Sequence, residues 1–164
     1  MDQKQSSKSS VPRLPELLAP AGSFEKLVTA IHYGADAVYL GGAKYGLRAK
    51  AGNFPDESIR DAVMYAHQHH VRLYVTVNII AHGGDFEGLE AYLLLLDSAG
   101  VDGLIISDPG ILVLAKKMAP GLEIHLSTQA NVTNSGTASF WSSQGVTRLN
   151  LARELSLAEI QAIR

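Results

Sequence analysis

The stretch that decides the fold is LEIHLSTQANVTN, residues 122–134. In an extended strand, Ile124 and Leu126 would face one way. The side chains that would face the other way are all polar: Glu123, His125, Ser127 and Gln129. A strand of an open parallel sheet is covered by helices on both faces and is usually apolar throughout. A barrel strand meets helices on one side only, and its inner side can be polar near a site, so this stretch favours a barrel.

A second predicted strand, VRLYVTVNII (71–80), has the same two faces. Its apolar face would carry Leu73, Val75 and Val77. Its other face would carry Arg72, Tyr74, Thr76 and Asn78. Two strands with one polar face favour a (β/α) barrel over the alternative, an open doubly wound sheet.

The rest of the chain from Leu14 alternates short apolar runs with amphipathic segments, a pattern typical of a parallel sheet with right-handed crossovers. Further strands are predicted at 16–22, 35–42, 101–107 and 146–153. Helices are predicted at 55–70 and 85–100, around Trp141, and after each of the capping residues Ser23, Asp108, Asn134 and Ser156. In the helix at 85–100, the buried stripe is predicted at Phe86, Leu89, Leu93 and Leu96. The sequence therefore predicts six βα units of an α/β fold.

A TIM barrel has eight such units and typically about 250 residues. Residues 14–164 would then form a truncated TIM-barrel-type domain, about six of eight units, as a piece of a longer protein. The alternative is a half that a partner chain or a homo-oligomer completes. Residues 1–13, MDQKQSSKSSVPR, are polar without an apolar period, and we interpret them as a disordered leader.

Composition limits the possible functions. The formal net charge is −2, which gives no general attraction to nucleic acid or to an anionic membrane. The chain has no cysteine, so it can form no disulfide, thiolate metal site or thiol nucleophile. It has no apolar run of the roughly 20 residues that a membrane span needs, and no secretory signal. We therefore expect a cytoplasmic protein, with no membrane contact, whose own residues hold neither metal nor cofactor.

The functional residues of a barrel lie at the C-terminal ends of its strands and in the loops that follow. This rule selects candidate substrate-binding residues: Arg48, Asn53, Asn78, Ser127, Gln129, Asn131, Arg153 and Glu154. Arg48 and Asn53 stand in an unusually long loop and could hold an anionic or planar ligand. The polar side chains could equally satisfy one another, with Arg72 and Glu123 paired at the barrel floor.

No standard catalytic set is present. The sequence lacks GxSxG and HExxH motifs. Glu123, His125 and Ser127 would stand in a row along one strand, whereas a triad must converge. The catalytic residues therefore stay unassigned, and no metal site is predicted.

Seven blocks, in order along the chain, resemble the N-terminal part of peptidase family U32, the collagenase-like protease family. The blocks are ELLAPAGSFEKL, YGADAVYLGG, LRAKAGNF, VTVN, SDPG, HLSTQANVTN and LARELSLAEI. The similarity runs from about Leu14 to the last residue. It implies a TIM-barrel-type catalytic domain.

The resemblance also implies a function. The family is named for peptidases, but it includes proteins that hydroxylate RNA, some of them at the wobble uridine of tRNA with prephenate implicated. It therefore implies a role in tRNA modification, with tRNA and a small anionic co-substrate as partners. Several members bind an iron–sulfur cluster through cysteines downstream of the LAREL block, so a cluster is expected only in a longer parent protein. A peptidase, or a non-catalytic half completed by a partner, remains the alternative.

Overall fold

The computed structural model describes residues 14–47 and 53–164, and within these ranges the chain forms six βα units. The strands are β1 (Leu18–Pro20), β2 (Ala37–Gly41), β3 (Arg72–Val77), β4 (Gly103–Ile106), β5 (Glu123–Leu126) and β6 (Arg148–Leu149). The helices are α1 (Phe24–His32), α2 (Asp56–Gln68), α3 (Leu89–Ala99), α4 (Pro109–Met118), α5 (Ser135–Ser143) and α6 (Leu157–Ile163). None of these described helices is long and apolar enough to span a membrane. The predicted leader, 1–13, and Arg48 lie outside the described residues.

The strands pair in parallel in the order β1-β2-β3-β4-β5-β6, so every strand lies beside its neighbour in sequence. A doubly wound sheet would reverse direction at a switch point and break this order. The sheet instead curls into a half-barrel with helices around it. The prediction of a TIM-barrel-type fold is confirmed, and the open-sheet alternative is wrong.

The two faces of the sheet differ as predicted. The helix-facing side chains belong to the main core, and on β3 and β5 they are Leu73, Val75, Val77, Ile124 and Leu126. The inner face carries a small second cluster around Ala37, Tyr74 and Ile105. The inner face therefore has a small apolar cluster of its own beside its polar side chains.

Ion pairs join the N-terminal ends of the strands on the inner side. Arg72 lies 2.7 Å from Glu16 and 3.7 Å from Glu123, so the predicted pair at the barrel floor is confirmed. Glu16, just before β1, also pairs with Arg148 and accepts a hydrogen bond of 2.9 Å from the Tyr74 hydroxyl. The carboxylates and guanidinium groups balance, so this end is a structural floor.

Strand β5 is shorter than the alternating pattern predicted. It ends at Leu126, and residues 128–130 form a 3₁₀ turn in which Ala130 N donates to Ser127 O at 3.0 Å. Asn131 then takes the left-handed conformation with φ 51°. Gln129 therefore approaches the C-terminal face from a turn, and its prediction as a strand residue was wrong.

The helix predicted at 85–100 is divided in two. Residues 83–86 form a 3₁₀ turn, and α3 begins only at Leu89. Gly88 has φ 79°, a left-handed conformation that a right-handed helix cannot contain. Phe86 therefore lies outside the buried stripe of α3, which starts at Leu89 and continues through Leu93 and Leu96.

The four predicted helix caps are confirmed: Ser23, Asp108, Asn134 and Ser156. Asp108 Oδ1 accepts from Gly110 N at 2.7 Å and from Ile111 N at 3.0 Å. Replacing Asp108 by alanine leaves both donors without this partner, so we expect the free energy of unfolding to fall by about 1 kcal/mol. Asp108→Asn keeps the acceptor and should fall within a few tenths of a kcal/mol of wild type in a urea titration. Equal losses in the two variants would contradict the capping role.

Candidate functional site

A cavity of about 610 Å³ lies at the C-terminal ends of the strands, the end where barrel sites are built. Its volume falls within the range of small-molecule sites, about 300–1,000 Å³. Five of the six βα units, all but the fourth, contribute polar side chains to the lining of the cavity. These are Lys26, Tyr39, Asn53, Thr76, Asn78, Ser127, Thr128, Gln129 and Asn150. We take it as the candidate site.

Three of the predicted residues meet in one hydrogen-bonded group, which we call the amide cluster: Asn78, Ser127 and Gln129. Asn78 directly follows β3 and is buried. Its Nδ2 donates to Ser127 Oγ at 3.2 Å and to Gln129 Oε1 at 2.9 Å. The Ser127 hydroxyl also donates to Gln129 Oε1. The cluster thus links the end of β3 to the turn after β5.

The loop after β2 holds the cluster from above. Leu47 N donates to Asn78 Oδ1 at 3.2 Å. The loop is anchored by Tyr45, whose hydroxyl donates to Glu87 O at 3.0 Å and whose carbonyl accepts from Ile79 N at 3.2 Å. Burial, and then the nearby Asp85 carboxylate, raise the pKa of Tyr45, so its hydroxyl keeps the proton that it donates. The position of Leu47 N is therefore determined by a packed aromatic anchor.

The other predicted residues divide into two groups. Asn53 lines the same cavity as the amide cluster. Asn131, Arg153 and Glu154 are exposed and do not belong to its lining. A binding role for these three residues, and for Arg48 outside the described ranges, stays a prediction.

Five polar lining residues were not among the predicted candidates: Lys26, Tyr39, Thr76, Thr128 and Asn150. Thr76 was placed on the polar face of its strand but was not chosen. Asn150 directly follows β6, where the rule of C-terminal strand ends could have found it. Lys26 stands in the first turn of α1, and nothing in a single sequence separates it from an ordinary solvated lysine.

Comparison with known proteins identifies the family of this chain. Residues 22–164 match the sequence model of peptidase family U32. The chain belongs to this family. As a U32 chain it is 46% identical, over 96% of its length, to tRNA hydroxylation protein P1 of Bacillus subtilis (strain 168). It is 43% identical over 92% to tRNA hydroxylation protein P of Escherichia coli (strain K12), and 40% identical over 90% to the E. coli 23S rRNA 5-hydroxycytidine C2501 synthase. The U32 chain spans 37%, 33% and 22% of the lengths of these three relatives.

Solved structures support the same fold. The U32 peptidase Mk0906 superimposes with a TM-score of 0.76 at 18% identity, over all of this U32 chain and 70% of the other. Deoxyribose phosphate aldolase from Aeropyrum pernix gives 0.67 at 12% identity, over 90% of this chain and 66% of the aldolase. At such identities the likeness concerns the fold alone.

The chemistry open to the U32 cavity follows from its lining. Among the described residues the lining contains one cation, Lys26, and neither a carboxylate nor an imidazole. Its hydroxyls therefore have no neighbouring general base that could make them nucleophiles. Amides and hydroxyls around a small volume are suited to binding a polar ring. A single lysine can also donate a hydrogen bond to one anionic oxygen.

His125 of the U32 chain lies below the cavity and gives a test of the inner face. It is fully buried, with Nε2 3.0 Å from Glu123 Oε2 and its ring centroid 4.4 Å from that of Tyr74. Burial lowers the pKa of His125 below its ordinary value of 6.5. The unfolded chain then binds a proton more readily than the folded one, and this difference destabilises the fold on acidification.

We therefore expect the free energy of unfolding to fall as the pH drops from neutral through 6.5 towards the lowered pKa of His125. In His125→Gln this group cannot titrate, so the same decline should be smaller. Urea titrations of both proteins at several pH values between about 5 and 8 measure the difference. Parallel pH profiles for the two proteins would show that His125 makes no such contribution.

Proposed function

We propose that this chain is the barrel portion of a U32 protein that hydroxylates tRNA. The observation that carries the proposal is the 46% identity, over 96% of the chain, to a tRNA hydroxylation protein. The chain spans 37% of that relative, so the activity is proposed for the full-length protein. Modification of tRNA also supports a cytoplasmic protein.

The cavity geometry supports a flat polar substrate. Enzymes that modify a base take it out of its stack and bind its edge with hydrogen bonds. The amide cluster and Asn150, which also lines the cavity, supply such groups around a volume of about 610 Å³. We propose that a nucleoside of tRNA enters here, and that wobble uridine, the nucleoside implied by the family resemblance, is the target.

A small anionic co-substrate is the second part of the proposal, with prephenate as the acid implied by the resemblance. Lys26 is the described cation that lines the cavity and would face one of its carboxylates. An iron–sulfur cluster needs cysteine or similar ligands, and this chain has no cysteine. The residues of this chain therefore do not fit such a cluster.

The peptidase alternative has less support. Peptide hydrolysis by a hydroxyl nucleophile needs a base within hydrogen-bond reach, and the described lining offers none beside Ser127, Thr76 or Thr128. The solved U32 peptidase shares 18% identity and supports the fold only. The tRNA hydroxylation proteins share 39–46%, and a relative named as an uncharacterized protease, from Methanocaldococcus jannaschii, shares 43%.

Sequencing of RNA crosslinked to the tagged full-length protein in its host tests the proposed substrate class. We expect tRNA to be enriched over ribosomal RNA, relative to an untagged control. Enrichment of 23S rRNA instead would favour the activity named for the E. coli rRNA relative. Enrichment of neither RNA would contradict the proposal.

A further inference from the structure

The polarity of the amide cluster is fixed by the backbone. The oxygen and nitrogen ends of an amide side chain have nearly the same shape, so their assignment rests on their partners. Leu47 N lies 3.2 Å from one end of the Asn78 amide. Because a backbone N–H can only donate, that end is the oxygen, and the other end of Asn78 is the Nδ2 that faces Ser127 and Gln129.

The same reasoning fixes Gln129. Asn78 Nδ2 can only donate, so the end of the Gln129 amide 2.9 Å away is the acceptor, Oε1. The Ser127 hydroxyl donates to this same oxygen. Two donors on Oε1 leave Nε2 as the outer end of Gln129. Within the part of the chain that the structure describes, Nε2 makes no hydrogen bond.

Gln129 lines the cavity, and the two hydrogen bonds on Oε1 leave its Nε2 as an unused donor. A donor held in this way pairs with an acceptor on a bound ligand. Apart from Lys26, the described lining is uncharged. An uncharged lining favours an uncharged ring. A carbonyl oxygen on such a ring, as in uracil, satisfies this donor, whereas an amino group at the same place, as in cytosine, opposes it.

We infer that Gln129 determines specificity by donating a hydrogen bond from Nε2 to a carbonyl oxygen of the substrate ring. The inference rests on the proposed function and adds the group that the substrate presents. It also assigns distinct roles within the cluster. Gln129 contacts the substrate, while Asn78 and Ser127 are positioning residues that act through it.

Gln129→Glu separates these roles. Asn78 Nδ2 and the Ser127 hydroxyl can still donate to one glutamate oxygen, so the cluster keeps its hydrogen bonds. Only the outer end changes, from a donor to an acceptor. Gln129→Met adds no charge and removes both ends of the amide, so Asn78 Nδ2 and the Ser127 hydroxyl also lose their acceptor. The matched control is Gln144→Glu, the same chemical change at the C-terminal end of α5 and outside the cavity lining.

Each variant of the full-length protein is expressed in a host lacking the gene, and the hydroxylated tRNA nucleoside is quantified by mass spectrometry. We expect wild type and Gln144→Glu to restore the nucleoside. Gln129→Glu and Gln129→Met should restore about 10- to 100-fold less, the range for loss of a base-reading contact. Full restoration by both Gln129 variants would overturn the inference while leaving the proposed function intact. No restoration by wild type would overturn the proposed function, and the inference with it.

Binding of short RNAs to the purified proteins measures a preference between bases that would not change if Gln129 had only a structural role. With uridine at the target position, both Gln129 variants should bind more weakly than wild type. With cytidine there, Gln129→Glu should bind better than Gln129→Met, because its carboxylate accepts from the amino group. An unchanged uridine-to-cytidine preference in both variants would overturn the inference. Because Gln129 is exposed, neither change is expected to affect the core, and melting curves check this.

Discussion

Replacing Asn78 by aspartate in the full-length protein is expected to lower the proposed tRNA hydroxylation about 100-fold, equivalent to about 2.7 kcal/mol of transition-state stabilisation. Leu47 N can still donate to one aspartate oxygen. The other oxygen would face Gln129 Oε1 and Ser127 Oγ, which now receive hydrogen bonds from Nδ2. Both hydrogen bonds from Nδ2 are lost, and the buried aspartate carboxylate is placed against the acceptor Gln129 Oε1. Gln129 should then turn its amide, and its outward donor disappears.

The matched control is Asn134→Asp, the same chemical change at the N-cap of α5. There the side-chain oxygen accepts from Thr137 N at 2.9 Å, and aspartate caps a helix as well as asparagine does. Mass spectrometry of tRNA nucleosides from the complemented host should show wild-type levels for this control. Wild-type hydroxylation by Asn78→Asp would rule out the amide cluster as the working site.

Replacing Gly42 by alanine is expected to lower the free energy of unfolding by about 3 kcal/mol, the upper part of the range for overpacking. A Cβ there would stand 2.0 Å from Tyr92 Oη and 3.0 Å from its Cζ. Tyr92 is buried, and its ring lies 5.1 Å from that of Tyr45, so it has little room to withdraw. Gly42 also bridges to Phe54, so the strain would extend to the end of the loop above the cavity.

Tyr92→Phe provides the partner for a double-mutant cycle. The Tyr92 hydroxyl is buried and has no hydrogen-bond partner among the described residues, so its removal alone should be nearly neutral. In the double variant the nearest clashing atom is gone, and about 1 kcal/mol of the loss should be recovered. Urea titrations of the four proteins measure this coupling. Strictly additive losses would contradict the proposed contact.

Gly83→Ala is the control for the glycine change itself. An added Cβ there has no heavy atom within 4 Å. We expect its free energy of unfolding to stay within about 0.5 kcal/mol of wild type. A loss as large as that of Gly42→Ala would show that the different backbone propensities of glycine and alanine, and not the contact with Tyr92, cause the loss of stability in Gly42→Ala.

The fold could be predicted because its main signals are local. Alternation along β3 and β5 shows in a few consecutive residues which face meets the helices, and one-sided polarity separates a barrel from an open sheet. Helix caps such as Asp108 and Asn134 are likewise set by residue type next to an apolar run. Gly88 was missed because its left-handed conformation divides a continuous helical pattern.

The site could be predicted only in part. Asn78 and Ser127 follow their strands directly, and Gln129 lies in the turn after β5, so the rule of C-terminal strand ends found them. Their orientation depends on Leu47, which is 31 residues from Asn78 and is held by the packing of Tyr45. Such long-range contacts leave no periodic signal in a single sequence.

The most direct test of the account is mass spectrometry of tRNA nucleosides from the host with and without this gene. Any second U32 relative must be removed too, since B. subtilis has both P1 and P2 proteins similar to this chain. We expect a nucleoside one oxygen atom heavier than its parent to disappear on deletion and to return with the full-length gene. An unchanged nucleoside profile in the strain lacking every relative would contradict it.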